Sequence, residues 1–449
     1  MEKAVPKKEQ GLSLTDLKDF RSKFYGSSGN KMAQNALSRT EGRNVALKWD
    51  AFANVTHVFS HVVSSEMGVT NQQKSGRCWL FAALNLLRLK LAKKYKLEKF
   101  EFSQTHLFFW DKIEKANYFL ESILATGKEP LDGRLMAHLL NSPVQDGGQW
   151  HMFQNLVEKY GLVPQSVYPD SQGALNSQQM NYYVTHKLRE DAYILRTMME
   201  EGKSPALLEK AKKEMMEEIY RIVAIHLGTP PETFTWTFRD KEKKYHTFPN
   251  ETPHSFYKNH VHTDLDDYVC LIHSPRKATP YYKAYTVAHL GNVWEGKPIL
   301  YINVPMEDMK KAVVDSLTND ESVWFGCDVG KWLDREIGVM DRNLFDFESL
   351  FSVSFGMNKE TRINYFDSQM THAMLFTGVD VHSYRYRVEN SWGDKLGEKG
   401  FFVMSDSWFD DYMFEVAIEK KFLSEKILQA AREKPTVLPP WDPFGSLAS

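Results

Sequence analysis

The fold of this chain is decided by the stretch Asn71-Gln-Gln-Lys-Ser-Gly-Arg-Cys78-Trp79 and the apolar run behind it. Ser75 and Gly76 are a cap-and-turn pair of the kind that precedes a helix. The segment Cys78–Tyr95 contains neither Gly nor Pro and is apolar nearly all round in its first turns. This pattern predicts a buried central helix that begins at Cys78.

A thiol in the first turn of a helix is well placed for chemistry. Unpaired backbone N–H groups and the helix dipole favour an anion at that end, and Arg77 adds a positive charge beside Cys78. We therefore expect a thiol shifted toward thiolate, the form that attacks carbonyl carbon. A cysteine at a helix start can equally be a small buried residue, so the position needs support from the rest of the chain.

Length and charge narrow the class of protein. The 449 residues are 42% hydrophobic and 25% charged, which is ordinary for a globular protein with core for several domains. The net charge of -2 argues against nucleic acid or an anionic membrane as the main partner. A local basic patch stays open within this balance.

Cysteine usage indicates a reducing compartment. The chain has 3 cysteines, Cys78, Cys270 and Cys327, which are too few for a disulfide scaffold. We interpret Cys270 and Cys327 as small buried residues. The charged start of the sequence predicts no secretion signal, and no apolar run is long enough to span a membrane. The expected location is therefore the cytoplasm.

Helical and strand-like patterns divide the chain. A polar N-terminal region opens a helix at Ser13, and residues 178–227 have the pattern of long charged helices. A polar aromatic loop is expected from there to about 279. Past 322 the chain becomes strand-rich, with strand candidates at 323–328, 371–381, 384–388 and 400–404.

The strand-rich part supplies partners for the thiol. A nucleophilic thiol needs a base, a group that orients the base, and donors for the oxyanion. His372 begins an apolar strand and Asn390 ends the next, so a hairpin would bring them side by side. Gln72 can offer a side-chain amide beside the backbone N–H of Cys78. Each signal is weak alone, since His372 could be a satisfied core histidine and Asn390 a turn residue.

Taken together, these residues resemble the papain-like cysteine peptidases. The matching motifs occur in the family's order: Gln72…Cys78-Trp79, Asp146-Gly-Gly148, Gly161…Tyr168-Pro169, Thr371-His372-Ala373 and Asn390-Ser-Trp-Gly393. Two positions depart from the family pattern. Thr371 stands where an Asp is frequent, and Ser75 stands where secreted members carry a disulfide cysteine, which agrees with a reducing compartment.

The resemblance implies an α+β fold of two papain-like subdomains with additions. A helical subdomain would carry the nucleophile helix, and a β-barrel-like subdomain would carry His372 and Asn390. The expected divisions are an N-terminal extension at 1–54, the helical subdomain at 55–170, a largely helical insertion at 171–320, the β subdomain at 321–420 and a C-terminal arm at 421–449 that reaches the active-site cleft.

The resemblance also implies a role for each site residue. Cys78 would attack the scissile carbonyl, and His372 would act as acid and base. Asn390 would orient His372, while Gln72 would stabilise the oxyanion. Substrate contacts are expected at Gly147, Gly148, Trp392 and Ser449. This chemistry needs no metal and no organic cofactor.

The insertion and the extensions resemble one branch of that family, bleomycin hydrolase and bacterial aminopeptidase C. Further matches are Gly76-Arg-Cys-Trp79, residues 323–330 and the Trp441-Asp-Pro tail. This branch implies an intracellular aminopeptidase for peptides with a free N-terminus, assembled as a homohexamer. The arm would fill the non-primed side of the cleft, so that the carboxylate of Ser449 meets the α-ammonium of the substrate.

Other interpretations stay open at this point. The same fold could be a cysteine endopeptidase with a disordered tail, or a barrel that binds peptide or nucleic acid and hydrolyses only secondarily. A metal site could use the histidines and aspartates between 246 and 267, although their spacing matches no known ligand pattern. The sequence contains no Gly-rich phosphate loop, no His-Glu-x-x-His and no Gly-x-Ser-x-Gly.

Overall fold

The structure of the chain, a computed structural model, describes residues 11–448. These residues form two compact units. The first unit contains the N-terminal residues up to 55 and the segment 342–357, and the second contains the rest. The sequence places 342–357 in the β subdomain, whereas the structure assigns it to the first unit. The other domain boundaries stay predictions.

The helices of the described residues account for much of the chain. They are α1 (Leu14–Gly26), α2 (Ser28–Leu37), α3 (Gly42–Ala46), α4 (Trp49–Ala53), α5 (Cys78–Tyr95), α6 (Gln104–Ala125), α7 (Arg134–Asn141), α8 (Trp150–Tyr160), α9 (Gln172–Leu175), α10 (Gln178–Glu200), α11 (Pro205–Leu227), α12 (Pro253–Phe256), α13 (Met306–Thr318), α14 (Phe347–Phe351), α15 (Lys359–Asn364), α16 (Asp406–Tyr412) and α17 (Glu425–Arg432).

The strands are short and lie mostly in one sheet. They are β1 (His61–Val62), β2 (Phe234–Arg239), β3 (Tyr245–Glu251), β4 (Tyr268–Ile272), β5 (Lys283–Val287), β6 (Tyr301–Asn303), β7 (Val323–Cys327), β8 (Leu333–Asp334), β9 (Val339–Met340), β10 (His372–Asp380), β11 (Arg385–Glu389), β12 (Phe401–Met404), β13 (Met413–Glu419) and β14 (Thr436–Leu438).

Helix α5 is the central helix of the second unit. It begins at Cys78 and ends at Tyr95, as the sequence predicts. Every side chain in its first turns is buried, which explains why the sequence shows no polar face there. The helix packs against β7 and β10. At this contact the indole N–H of Trp324 donates to the carbonyl oxygen of Trp79 at 3.2 Å.

A 12-stranded sheet supports the other side of the second unit. Its order is β14-β5-β6-β4-β13-β7-β10-β11-β12-β9-β8, with β1 paired to β10. In the antiparallel pair of β10 and β11, Leu375 lies opposite Glu389. Since the strands run in opposite directions, His372 at the start of β10 and Asn390 just after β11 lie at the same end of the hairpin.

The inserted segment 171–320 contains strands as well as helices, and β5 and β6 lie where the sequence predicts strands, at 282–289 and 299–304. It provides α10 and α11, but it also provides β4, β5 and β6 to the main sheet and the separate β2–β3 hairpin. Strand β4 lies where the sequence predicts a polar loop. All five of its residues are buried, so the apolar–polar alternation of a half-exposed strand is missing there.

The first unit is built from small helices. Ser13 caps α1 in a reciprocal capping box with Asp16, which fixes the helix start at the predicted place. Several large apolar side chains of this unit are nonetheless exposed. They include Leu14, Phe20, Met32, Trp49 and Phe355.

The C-terminal segment leaves helix α17 and enters the sheet before it reaches the site. Strand β14 pairs in parallel with β5. A single helical turn at Pro443–Gly445 follows, and Ala448 then forms an isolated antiparallel bridge with Gly148. Residues 436–438 are extended as predicted, whereas a turn closed by the Asp442 N–H and the Pro439 carbonyl oxygen at 2.9 Å precedes the helical turn.

Candidate active site

Cys78 lies at the first position of α5 and is fully buried. The N-cap residue is Arg77, whose side chain makes no capping bond. The predicted cap, Ser75, instead donates to the carbonyl oxygen of Gln72 at 2.7 Å. The turn that precedes the helix is therefore closed by Ser75, while the first N–H groups of α5 stay available at the thiol.

Arg77 does not act on the thiol as the sequence predicts. Its guanidinium is buried and forms an ion pair with Asp170, with 2.9 Å between Nη1 and Oδ1. It also donates from Nε to Ser75 Oγ at 2.8 Å. Because Asp170 balances its charge, Arg77 stabilises the loop in front of the nucleophile helix.

Burial controls the protonation of Cys78. Loss of solvent raises the pKa of the Cys78 thiol to about 12, although the backbone N–H groups of Ala373, Trp79 and Cys78 donate to the sulfur and lower it. Burial therefore opposes the thiolate that the helix end favours, and a charged partner is needed to form it. The bond from Ala373, the residue after His372, places the sulfur next to the start of β10.

His372 is oriented by Asn390. Its Nε2 lies 3.1 Å from Asn390 Oδ1, and both side chains are buried. Because an amide oxygen only accepts, Nε2 carries the proton in this bond and Nδ1 is left for other partners. The Trp392 ring lies beside the imidazole, with 4.8 Å between ring centroids.

Burial also makes His372 a weak base. It lowers the pKa of His372 to about 4, the bond to Asn390 raises it, and the positive charge of Arg335 lowers it further. The Arg335 guanidinium lies over the Trp392 ring, 4.4 Å from its centroid. Arg335 is not predicted from the sequence, because nothing in the residues around it indicates proximity to the hairpin.

Gln72 joins the nucleophile loop to the strand side. Its side-chain oxygen accepts from Ser391 Oγ at 2.6 Å, and its backbone N–H donates to the carbonyl oxygen of Ser391 at 2.8 Å. Its Nε2 donates to the carbonyl oxygen of Ser75 at 2.6 Å. An amide nitrogen carries two hydrogens, so one N–H is held by this turn and the other can serve an oxyanion.

Asp146 links the nucleophile loop to the helices. Its carboxylate accepts from the backbone N–H of Gly76 at 2.9 Å and from Lys112 Nζ at 2.6 Å. Ser177 and Asn181 of the insertion donate to the same carboxylate. Burial alone would raise the pKa of Asp146, but the Lys112 charge and these donors hold it well below its usual range.

Lys115 holds the turn that follows Asp146. Its ammonium donates to the carbonyl oxygens of Gln145 at 3.0 Å and Gly147 at 2.6 Å, and it pairs with Asp111 at 2.7 Å. Burial lowers the pKa of Lys115, and the Asp111 charge opposes that shift. Apolar runs mark the core in the sequence, so these buried lysines were not recognised as core residues.

Gly148 packs against the Trp79 ring and also contacts the C-terminal arm. A Cβ at this position would lie 2.5 Å from two atoms of the Trp79 ring. The missing side chain therefore makes room for Trp79, whose indole N–H donates to the Asp146 carbonyl oxygen at 2.8 Å. The free backbone edge of Gly148 faces the arm, and its N–H donates to the Ala448 carbonyl oxygen at 3.0 Å.

The arm lies along the site up to the last described residue. Gln149 Nε2 donates to the carbonyl oxygen of Ser446, and Ser446 Oγ donates to the carbonyl oxygen of Met370, both at 2.6 Å. The arm thus makes hydrogen bonds on both sides of the site. On one side it reaches Met370, two residues before His372, and on the other it reaches Gly148 and Gln149. Ser449, the predicted contact for the substrate amine, lies outside the described residues.

The histidine-rich segment between 246 and 267 has other partners. His246 Nε2 lies 2.8 Å from Asp240 Oδ2, and His260 Nε2 lies 3.0 Å from Glu251 Oε1. Within residues 11–448, no group of three or more His, Cys, Asp and Glu side chains is arranged to hold a metal ion. The three cysteines are free thiols.

No helix in the described part of the chain is long and apolar enough to cross a membrane.

A thiol at the start of a buried helix, facing a His–Asn pair on a strand hairpin, defines a papain-like cysteine peptidase. The profile of the Peptidase C1-like family matches residues 11–445. The chain belongs to this family and is a cysteine peptidase.

Relatives match over nearly the full length. Bleomycin hydrolase of Gallus gallus is 44% identical over 451 residues, which cover 98% of this chain and 99% of the relative. Aminopeptidase C of Listeria innocua is 45% identical and covers 97% of this chain and 99% of its own. The crystal structure of PepW from Lactobacillus rhamnosis HN001 superposes with a TM-score of 0.96 at 42% identity, covering 98% of this chain and 100% of that chain.

Proposed function

We propose that this protein is a cysteine aminopeptidase that removes N-terminal residues from peptides. The observation that carries the proposal is the bridge between Ala448 and Gly148. In this proposal, the chain's own C-terminal arm fills one end of the cleft. The names of the full-length relatives support it, since several are called aminopeptidase C. A substrate would then enter with its N-terminus facing the arm.

The proposed chemistry begins with proton transfer from Cys78 to His372. This transfer creates a thiolate and an imidazolium that stabilise each other, which offsets the burial that keeps each group neutral alone. The thiolate attacks the scissile carbonyl carbon and forms a tetrahedral oxyanion. The backbone N–H of Cys78 and the second N–H of Gln72 Nε2 are the proposed donors to that oxyanion.

His372 completes both halves of the reaction. It gives its proton to the departing amine, so that the C–N bond breaks and an acyl-thioester of Cys78 remains. It then takes a proton from water, whose oxygen attacks the thioester and restores the thiol. Asn390 holds the imidazole during both steps, and Trp392 covers their hydrogen bond from water.

The arm sets the proposed preference for a free N-terminus. A cavity of about 470 Å³ lies beside the arm between Gln145 on one wall and Thr371 on the other. The terminal carboxylate at Ser449 would then pair with the substrate's α-ammonium, a charge-assisted contact that an acetylated peptide lacks.

Matched peptides test the proposal. We expect peptides with free N-termini to lose single residues in sequence, and acetylated peptides of the same sequence to stay intact, as read by mass spectrometry. Cleavage of both peptides at internal bonds would instead identify an endopeptidase.

Cys78→Ala should abolish turnover without unfolding the chain, because Ala fits the buried site. Loss of a nucleophile costs roughly 10⁶-fold in kcat in other hydrolases. The measurement is single-turnover cleavage together with thermal unfolding of the variant. Residual activity that a thiol reagent still inhibits would remove Cys78 from the mechanism.

The alternatives are less well supported. The relatives named above are enzymes matched from end to end, and the arm occupies the cleft that an endopeptidase would keep open. The net charge of -2 does not favour a barrel whose main role is to bind nucleic acid. A gel shift that weakens with salt would be the evidence for such binding.

We also propose a cytoplasmic homohexamer. The free thiols support a reducing compartment. The exposed apolar side chains of the first unit support association, because a monomer would leave Leu14, Met32 and Trp49 in water. Sedimentation of the purified protein tests the assembly, and a monomer at working concentration would contradict it.

A further inference from the structure

The arm is fastened to the inserted segment before it enters the cleft. The guanidinium of Arg276 and the carboxylate of Asp442 form a two-pronged pair, with Nη2–Oδ1 at 2.8 Å and Nη1–Oδ2 at 3.1 Å. Both side chains are nearly buried, at 8% and 12% exposure. Arg276 Nε also donates to Ser274 Oγ at 3.1 Å, so the guanidinium is held in place before the arm meets it.

Asp442 and Phe444 fix the conformation of the arm at this point. Asp442 Oδ1 accepts from the backbone N–H of Phe444 at 3.0 Å and so closes the turn at Pro443–Gly445. The Phe444 ring is buried against Tyr285 and Tyr301, each in an edge-on arrangement. The Arg276 guanidinium covers the same ring, 4.9 Å from its centroid.

Only a short piece of chain lies beyond this fastening. Ala448 is four residues from Phe444, and an extended chain advances about 3.3 Å per residue. The arm can therefore reach at most about one dozen ångströms past Phe444. Ser446 and Ala448 meet Met370, Gln149 and Gly148 in one register only.

We propose that the Arg276–Asp442 pair is the anchor that decides where the arm ends in the cleft, and hence how many substrate residues fit before Cys78. Arg276 is a positioning residue, because it acts through the arm and not on the substrate. The proposal rests on the aminopeptidase function proposed above. Without Arg276, the Asp442 carboxylate would lie unpaired in a nearly dry site, and release of the arm would return it to water.

Arg276→Met tests the anchor. We expect the backbone amides of residues 444–448 to exchange hydrogen at least about tenfold faster, because local opening becomes easier. Internal cleavage of an acetylated peptide should rise by at least about tenfold as the arm leaves the cleft more often. KM for free peptides should rise while kcat stays within a few-fold, since the thiol and imidazole are untouched. Deletion of residues 445–449 gives the full effect for comparison.

Lys283→Met is the matched control. Lys283 on β5 forms an ion pair of 2.9 Å with Glu433 of the same C-terminal segment, but both side chains are about half exposed. Exposed pairs contribute little, so this variant should match the wild type in exchange and in products.

Two outcomes would overturn the anchor. One is wild-type exchange and products in Arg276→Met. The other is an equal effect of Lys283→Met. If Arg276→Met fails to fold, Asp442→Asn is judged by the same exchange measurement, and unchanged protection there counts against the anchor. If the wild type already cuts acetylated peptides internally, the aminopeptidase proposal fails, and the exchange data still decide whether Arg276 holds the arm.

Discussion

The two walls of the cleft are built in different ways. On the nucleophile side, the loop before Cys78 and the turn before Gly148 have no strand neighbours along most of their length, and buried charges of Asp146, Lys112 and Lys115 hold them. On the opposite wall, His372 and Asn390 follow from the register of β10 and β11.

Because the two walls are held differently, substitutions on them should have different main effects. A loop that is held by a few buried ion pairs loses its shape when one partner is removed, because the other charge is left without solvent or partner. A strand residue keeps its place through the backbone ladder, so its side chain can change without loss of the fold. Substitutions on the nucleophile wall should therefore mainly lower the free energy of unfolding, and those on the strand wall should mainly lower kcat.

Asp146→Asn gives the largest expected effect. Loss of the charge leaves Lys112 buried and unpaired, which should lower the free energy of unfolding by about 3–5 kcal/mol at pH 7. Chemical denaturation measures it. Because folding lowers the pKa of Asp146, its contribution is complete above the unfolded pKa of about 3.9 and is lost as pH falls toward the folded value. The difference in unfolding free energy between wild type and variant should thus stay constant from neutral pH down to the unfolded pKa and should decrease below it.

A loss of less than about 0.5 kcal/mol, the size usual for surface substitutions, would place Asp146 outside the support of the loop. Asp367→Asn is a suitable control, since its pair with Lys331 is partly exposed.

Gln72→Ala should have the second-largest effect, and this effect should be on kcat. Removal of one oxyanion donor costs roughly 10²–10³-fold in kcat in other enzymes, or about 2.7–4 kcal/mol. Gln72 also holds Ser391 and Ser75, so Ser391→Ala is the control that removes one of these bonds and keeps the amide donor. If Ser391→Ala slows turnover as much as Gln72→Ala does, the loss comes from loop geometry and the oxyanion role is wrong.

Asn390→Ala sharpens the contrast from the strand wall. We expect kcat to fall by up to about 10²-fold, within the range that a positioned acid–base group contributes, with little change in unfolding free energy. Asn390→Asp should retain more activity, because a carboxylate also accepts from Nε2. Its negative charge should raise the pKa of His372 and move the acidic limb of kcat/KM to higher pH. A large loss of stability in Asn390→Ala would erase the proposed difference between the walls.

Gly148→Ala has the smallest expected effect and returns to the nucleophile wall. The added Cβ would meet the Trp79 ring, and overpacking of this kind costs about 1–3 kcal/mol of stability. Because Trp79 directly follows Cys78, displacement of its ring should lower kcat and should also change KM. Gly68→Ala, where a Cβ has open space, is the control. Equal melting temperatures for the two variants would show that Trp79 can give way.

The sequence alone determined the central helix and the pairing of His372 with Asn390. The run from Cys78 to Tyr95 has no helix breaker and no polar face, so its length and burial could be read directly. The strand hairpin brought His372 and Asn390 together because two consecutive strands with a short turn have one simple pairing. Strand β4 was missed, since a strand buried on both faces shows no alternation.

Only the tertiary structure decided the protonation and the support of the site. Burial, which depends on every element packed around α5, outweighs the helix end and raises the pKa of Cys78. Arg77 is a neighbour of the thiol in sequence, yet its charge belongs to Asp170. The pairs of Asp146 with Lys112 and of Arg276 with Asp442 join distant parts of the chain. A local pattern cannot indicate such pairs, because each partner looks like an ordinary surface charge until the fold removes the water around it.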